Sequence, residues 1–255
     1  MGLDCTILVP LRHCARAIEA GALDWLDGFP GPVLFVVDPS DAETADAIAG
    51  WRAGRHLASL GVVEQDRPGL YAALNQGLAR VRTEYVQQCG VDDEAYWRTH
   101  ERVVALLGSR RPAWIAGRCE TRHVSGRRTG AGVYRQLLHR LAPLLLPLTN
   151  VVGSPAVIFS AAAARRAGGW DESMPAAADY DLWLKLHAQQ RPFLLPFATG
   201  RFLVRPESSL TRAHRRTSLE DCYRSRRQYF HGALVPGLAR GVQSAQFKLQ
   251  DLLGE

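Results

Sequence analysis

PVLFVVDPSDAETADAIAGWRAG, residues 32–54, decides the fold. Its first six residues are almost wholly apolar and rich in valine, without the alternation of a half-exposed strand, so they read as a strand buried on both faces. Asp38 closes that run, and Pro-Ser-Asp then supplies cap-forming residues for a helix that continues to the Gly at 54. The same unit recurs on either side. TILVP (6–10) is a short apolar run, and Ala15, Ile18, Ala22 and Leu26 follow at helical spacing. LGVVEQ (60–65) reads as a third strand, GLYAALNQGLARV (69–81) as a helix and TEYVQQC (83–89) as a fourth strand. Strand and helix alternating at this rhythm predict a mostly parallel α/β sheet, with ligands expected beyond the carboxyl ends of its strands. Asp38 and Asp92 both stand at such ends.

Beyond residue 94 the pattern loosens. AYWRTHERVVALLGS is expected to be a helix, AWIAGRCETRHV (113–124) a strand or hairpin arm, and SGRRTGAG (125–132) a Gly/Arg loop. AVIFS (156–160) reads as a strand, SAAAARRAGG as a short helix closed by glycines, and ADYDLWLKLHAQQ (178–190) as a helix with two acids in its opening turn. The expected division is a domain over 1–205 and a basic helical C-terminal tail over 206–255.

Composition excludes several classes. The 255 residues are 47% apolar and 22% charged, enough for a sizeable core. LAPLLLPL (141–148) is too short to span a bilayer and is broken by Pro143 and Pro147. The opening MGLDCTILVPLRHC has an acid and no basic run before its apolar stretch, so the expectation is a cytoplasmic protein without a signal peptide. Five cysteines at wide spacing with no CxxC argue against a disulfide framework or a zinc site. There is no GxGxxG after the first strand, no GxxxxGK[ST], no HExxH and no GxSxG. The net charge of +6 is almost all arginine, since Lys185 and Lys248 are the only lysines. From Arg201 to His231 eight arginines face Glu207, Glu220 and Asp221. That segment carries no nucleic-acid recognition motif, and nucleic acid is not an expected partner. YRSRRQYF (223–230) fits an amphipathic helix on an anionic membrane surface, which adds peripheral contact with the inner membrane face to the expectation.

GVDDEAYW (90–97) poses the functional question, because Asp92, Asp93 and Glu94 lie at the end of a buried strand where unpaired charge is costly. A polar turn opening the next helix is one answer. Another comes from four segments in order: VVDPSDAETADAI (36–48), GLYAALNQGLARVRTEYV (69–86), VDDE (91–94) and GGWDESMPAAADYDLWLKL (168–186). Together they resemble the successive signatures of family 2 glycosyltransferases, over roughly residues 5–190. The resemblance implies a GT-A fold, a Rossmann-like three-layer α/β architecture with a mostly parallel central sheet. It also implies inverting transfer of a sugar from a nucleotide-sugar donor, a UDP-sugar first, to a hydroxyl of a glycan or lipid-linked acceptor in polysaccharide biosynthesis.

Residue by residue, the resemblance places a divalent metal, Mn2+ or Mg2+, on Asp92 with Asp93 or Glu94 beside it, to neutralise the departing diphosphate. It makes Asp179 the general base that takes the acceptor proton, with Asp181 nearby as a packing or orienting residue or an alternative base. Pro10 and Leu11 would line the first loop, Asp38 would meet the base or ribose, and Arg67, Gly69 and Asn75 would close over the base. Taken alone, Asp38 reads equally as a helix cap and Asn75 nearly equally as a solvated helix position; Asp179 could also be an N-cap, but the Trp and two acids grouped after a Gly-Gly turn favour a functional role. Five positions depart from the family pattern. Gly90 stands where an Asp or Asn is usual, Ala72 replaces an Asp, Gln87 and Gln88 replace apolar strand residues, and Arg205 replaces a histidine. Gly90 and Ala72 raise the alternative of a domain that binds nucleotide or glycan without transfer. Arg205 raises direct neutralisation of the diphosphate by arginine.

Overall fold

The structure is a computed structural model and describes residues 2–123, 136–204, 215–229, 238–242 and 244. In chain order its elements are β1 (Cys5–Leu11), α1 (Ala15–Glu19), β2 (Pro32–Val37), α2 (Ala42–Arg52), β3 (Ser59–Glu64), α3 (Leu70–Arg80), β4 (Tyr85–Gln88), β5 (Glu94–Ala95), α4 (His100–Leu107), β6 (Trp114–His123), α5 (Ala142–Leu145), β7 (Val157–Ser160), α6 (Ala161–Arg166), α7 (Ala178–Gln189), β8 (Phe193–Val204) and α8 (Arg215–Tyr229). Eight strands form one sheet in the order β3-β2-β1-β4-β7-β6-β8-β5. β3, β2, β1 and β4 run parallel, β7 is antiparallel to both its neighbours, and β6 runs parallel to β8.

Alternate residues of the buried strands feed two separate cores, as period-2 side-chain geometry requires. Leu8, Val36 and Val86 join α3, α6 and α7 on one face. Ile7, Val9, Phe35 and Val37 join Ile18, Ile48 and Trp51 on the other. The three-layer α/β fold expected from the sequence is the one observed.

Three differences from the sequence reading have local causes. The first helix is only five residues long, and Gly21, at φ 84, ends it before a 3-10 turn over Asp24–Leu26. β8 was not anticipated, because Pro196 and Gly200 interrupt its apolar pattern. Gly200 is needed there, since a Cβ would lie 2.1 Å from the Pro155 carbonyl oxygen. The sequence also left open how Gln87 could sit within a strand. It is fully buried, and its Nε2 donates to the carbonyls of Pro155 (2.7 Å) and Thr199 (2.8 Å). Its carbonyl oxygen faces His100 Nε2 at 2.9 Å. Because that oxygen only accepts, His100 must be the donor, and burial keeps the ring neutral by pulling its pKa down to about 4.

The helix α8, which contains YRSRRQY (223–229), packs on α7. Cys222 enters the main core, and Arg226 is fully buried. Arg226 Nε donates to the Tyr180 hydroxyl at 3.0 Å, the guanidinium lies 5.1 Å from the Tyr180 ring centre, and that hydroxyl donates to the Leu146 carbonyl. Arg224 pairs with Asp171 at 2.5 Å and donates to Ser173 Oγ at 2.6 Å. The Gly/Arg loop (125–132) and Arg205 lie outside the described residues.

Candidate active site

Because β1, β2, β3 and β4 are parallel, their carboxyl ends share one edge of the sheet. β7 is antiparallel to β4, with Gln87 opposite Ile158, so the residues just before β7 reach the same edge. Pro10 and Leu11 are still strand residues, paired with Val36 and Val37, and the loop proper begins at Arg12. Arg12 Nε lies 3.1 Å from Asp38 Oδ2. The other Asp38 oxygen accepts from Ser40 Oγ (2.7 Å) and Ser40 N (3.0 Å), and these bonds hold the carboxyl below its usual range. Asp38 is not the cap of α2. That role belongs to Asp41, which accepts from Thr44 N at 3.2 Å and also from His13 N. His13 sits at φ 52, in the left-handed region that a non-glycine residue seldom adopts, at the turn where the loop leaves β1.

The three acids of GVDDEAYW separate in space. Glu94 pairs with Arg201 at 2.5 Å, across from it in β8. Asp93 turns toward backbone, accepting from Leu203 N (3.2 Å) and Gly90 N (3.3 Å), and burial pushes its carboxyl up to about 7. Asp92 lies toward the first loop. The Cys14 thiol is raised chiefly by its burial, with the negative charges of Asp92 and Asp41 adding to the shift.

Asp179 stands in the first turn of α7, whose N-cap is Ala177, so Asp179 is not itself the cap. Its Oδ2 accepts from Ser154 Oγ at 2.7 Å and its Oδ1 from Tyr180 N at 2.7 Å. Ser154 opens the 3-10 turn that leads into β7, which brings Asp179 to the strand-end edge shared with Asp38 and Asp92. The positive end of the α7 dipole favours the ionised carboxylate there. The Tyr71 hydroxyl is raised well above its ordinary value by burial and, secondarily, by Asp179. Asp181 is buried and pairs with Lys185 at 2.7 Å, and Lys185 also donates to the Gly169 carbonyl.

Of the remaining predicted residues, Arg67 and Asn75 meet on Glu172. The Asn75 carboxamide accepts from Trp170 N (2.9 Å) and donates to Trp170 O and Glu172 Oε1 (2.8 Å each). Arg67 meets Glu172 with two parallel bonds, Nε to Oε2 at 2.9 Å and Nη2 to Oε1 at 2.8 Å. Those contacts hold the Glu172 carboxyl below its usual range. Gly69 has φ 119 at the head of α3, with no atom nearer than 3.9 Å to an added Cβ, so its conformation rather than crowding requires glycine. Ser154, Tyr71 and Glu172 were not singled out from the sequence. Glu172 lies within the GGWDE block and Tyr71 within the 69–86 segment, but Ser154 sits in no pattern that marks chemistry.

No protein-family model matches the chain, and no curated protein matches it in sequence. Solved structures do match. S. aureus TarS 1-349 superposes with a TM-score of 0.64 at 16% identity, over 93% of this chain and 70% of that one. The same TarS fragment in complex with UDP-GlcNAc gives 0.65 at 19% identity, over 89% of this chain and 65% of the other. The mannosyltransferase PcManGT from Pyrobaculum calidifontis, in complex with GDP-Man and Mn2+, gives 0.69 at 18% identity, over all of this chain and 77% of that one. The three-layer α/β fold of this chain is the fold of these glycosyltransferases.

Proposed function

We propose that the protein is an inverting glycosyltransferase that moves a sugar from a nucleotide-sugar donor to a hydroxyl of a glycan or lipid-linked acceptor. One observation carries this reading: Asp179, held by Ser154 at the positive end of α7, shares a sheet edge with Asp38 and Asp92. The likeness to structures that hold UDP-GlcNAc or GDP-Man supports a nucleotide-sugar donor, and UDP is the nucleotide proposed first, ahead of GDP and dTDP.

Asp92 fits a hard divalent cation, since such ions are commonly held by one or two carboxylates and complete their shell with substrate phosphate and water. Asp93, the second ligand the resemblance implies, has its carboxyl raised by burial and turned to the amides of Leu203 and Gly90, so Asp92 is the carboxylate proposed here. Bound there, Mn2+ or Mg2+ would neutralise charge on the departing diphosphate. Asp38 would orient the nucleoside, and Arg12 beside it is half-exposed and available to phosphate. Asp179 would accept the proton of the acceptor hydroxyl, its carboxylate aimed by Ser154. The Arg67–Glu172–Asn75 cluster would keep the GGWDE turn, and hence the approach to Asp179, in place.

Calorimetric titration with UDP, GDP and dTDP, each with and without manganese, tests the reading. Manganese-dependent binding of one nucleotide is expected and names the donor class. Binding indifferent to manganese would move the diphosphate onto arginines, and no binding of any nucleotide would overturn the proposal.

A further inference from the structure

β6 carries an irregularity on both sides of Arg118, where its register against β8 shifts. Such bulges re-aim a side chain. The Arg118 Nε is buried and has no hydrogen-bond partner among the described residues. The nearby carboxylate, Glu120, is engaged by Arg122 and by the Tyr96 hydroxyl instead. Arg118 lines a cavity of about 380 Å³ whose described walls also include Gln136, Leu137 and Arg140. Two guanidinium groups and an amide, with no described acid in the wall, form a setting for an oxyanion.

The segment bearing Arg140 adds a second observation. Residues 136–145 wind as a continuous helical stretch whose inner side is anchored by buried His139, donating from Nε2 to the Leu195 carbonyl at 2.9 Å, and by buried Ala142. Its outer side exposes Leu137 (75%), Leu141 (46%) and Leu144 (61%). The spacing of i, i+4 and i+7 puts these leucines on one side of the helix, and Arg140 falls among them. Three exposed leucines in a row are a stripe that water disfavours. A stripe of this kind beside a two-arginine cavity matches an amphiphile with a phosphate at one end and a hydrocarbon chain at the other.

We propose that this face docks a phosphate-bearing lipid at a membrane surface, with the phosphate at Arg118 and Arg140 and the apolar part against Leu137, Leu141 and Leu144. The arrangement rests on the transferase reading and extends it by naming the acceptor's class, a lipid-borne phosphate presented at the strand-end edge of the sheet. β6 is antiparallel to β7, so Arg118 is at the strand-end edge of the sheet, and the next residue, Cys119, packs against Gly153 beside Ser154.

The test is co-sedimentation of the full chain with vesicles of phosphatidylglycerol and of phosphatidylcholine, with soluble glycerol phosphate as competitor. Two variants are compared with wild type: Arg118→Gln/Arg140→Gln, and Leu137→Ser/Leu141→Ser/Leu144→Ser. Thermal melting checks that each folds, and a parallel UDP titration reports the donor site separately. Wild type is expected to bind phosphatidylglycerol vesicles in preference to phosphatidylcholine, with each variant about tenfold weaker or more. Equal binding by wild type and variants, or no vesicle binding by wild type, would overturn the proposal. Full competition by glycerol phosphate with the leucine variant unaffected would also overturn it, in favour of a soluble phosphate. A chain that binds vesicles as expected but no nucleotide would fail the transferase reading while leaving this face intact.

Discussion

Asn75 and Trp170, ninety-five residues apart, are joined twice: the Asn75 carboxamide accepts from the Trp170 amide at 2.9 Å and donates to the Trp170 carbonyl at 2.8 Å. One side chain on α3 thus satisfies both backbone groups of the residue that follows the Gly168-Gly169 turn. Gly169 lies at φ 66, and a Cβ there would meet Asn75 Oδ1 at 2.3 Å. The turn and the asparagine require each other.

Asn75→Ala leaves two backbone groups without their partner and is expected to cost about 1–3 kcal/mol of stability. Asn75→Asp is expected to cost more, because a carboxylate would face both the Trp170 carbonyl and Glu172. Chemical denaturation of both variants checks the order. A harmless Asn75→Ala with weakened nucleotide binding would show that the side chain serves the ligand instead.

Asp179→Asn is expected to keep nucleotide affinity and lower transfer by about 10²–10⁴-fold, the range for a general base. Unchanged transfer would remove Asp179 from that role. Ser154→Ala removes a hydrogen bond to the carboxylate, which raises the pKa of the base. The acid limb of its kcat/KM profile should therefore move to higher pH, a shift that loss of structure alone would not produce.

For Asp92→Ala the expected outcome is loss of the manganese-dependent part of nucleotide binding, read by calorimetry. Glu94→Gln, which disturbs the pair with Arg201, should leave that part in place. The comparison distinguishes the two acids.

His100 gives a pH signature. Its folded pKa, near 4, lies below the ordinary value of 6.5, so its contribution is fully present above about pH 6.5 and is lost as pH falls toward 4. The loss is on the order of 3 kcal/mol. Asp93, raised to about 7, opposes this trend, because its contribution is lost as pH rises. The stability difference between wild type and His100→Gln isolates the histidine, and it should shrink between pH 6.5 and 4. A difference that stays constant across that range would mean the ring is not held neutral by burial.

Tyr180→Phe removes the acceptor for Arg226 Nε and the donor to Leu146 O. Both are buried, so a loss of about 1–3 kcal/mol is expected in thermal or chemical unfolding. A neutral outcome would mean that α8 is held by its apolar contacts and the Arg224–Asp171 pair without help from the Tyr180 hydroxyl.

The parallel half of the fold was legible because its strands are uninterrupted apolar runs with caps between them. β8 was not, since Pro196 and Gly200 break its pattern and its partner β6 lies some seventy residues earlier. The basic run in α8 reads as a surface in sequence, and the contact of Arg226 with the Tyr180 hydroxyl and ring leaves no mark there. At the site, the acids at 38, 92 and 179 were identifiable from their positions in order along the chain. The Asn75–Trp170 and Arg67–Glu172 contacts were not, because pairing across about a hundred residues leaves no local mark.

Gln87 ties four other parts of the chain together: its carboxamide meets His100, the Pro155 carbonyl and the Thr199 carbonyl, and its backbone lies opposite Ile7 of β1. Such a position cannot drift alone. An apolar residue at 87 would strand the histidine and two carbonyls together, so related chains should exchange Gln87 and His100 as a pair. That joint replacement would be visible in an alignment as covariation between the middle of one strand and the head of a distant helix.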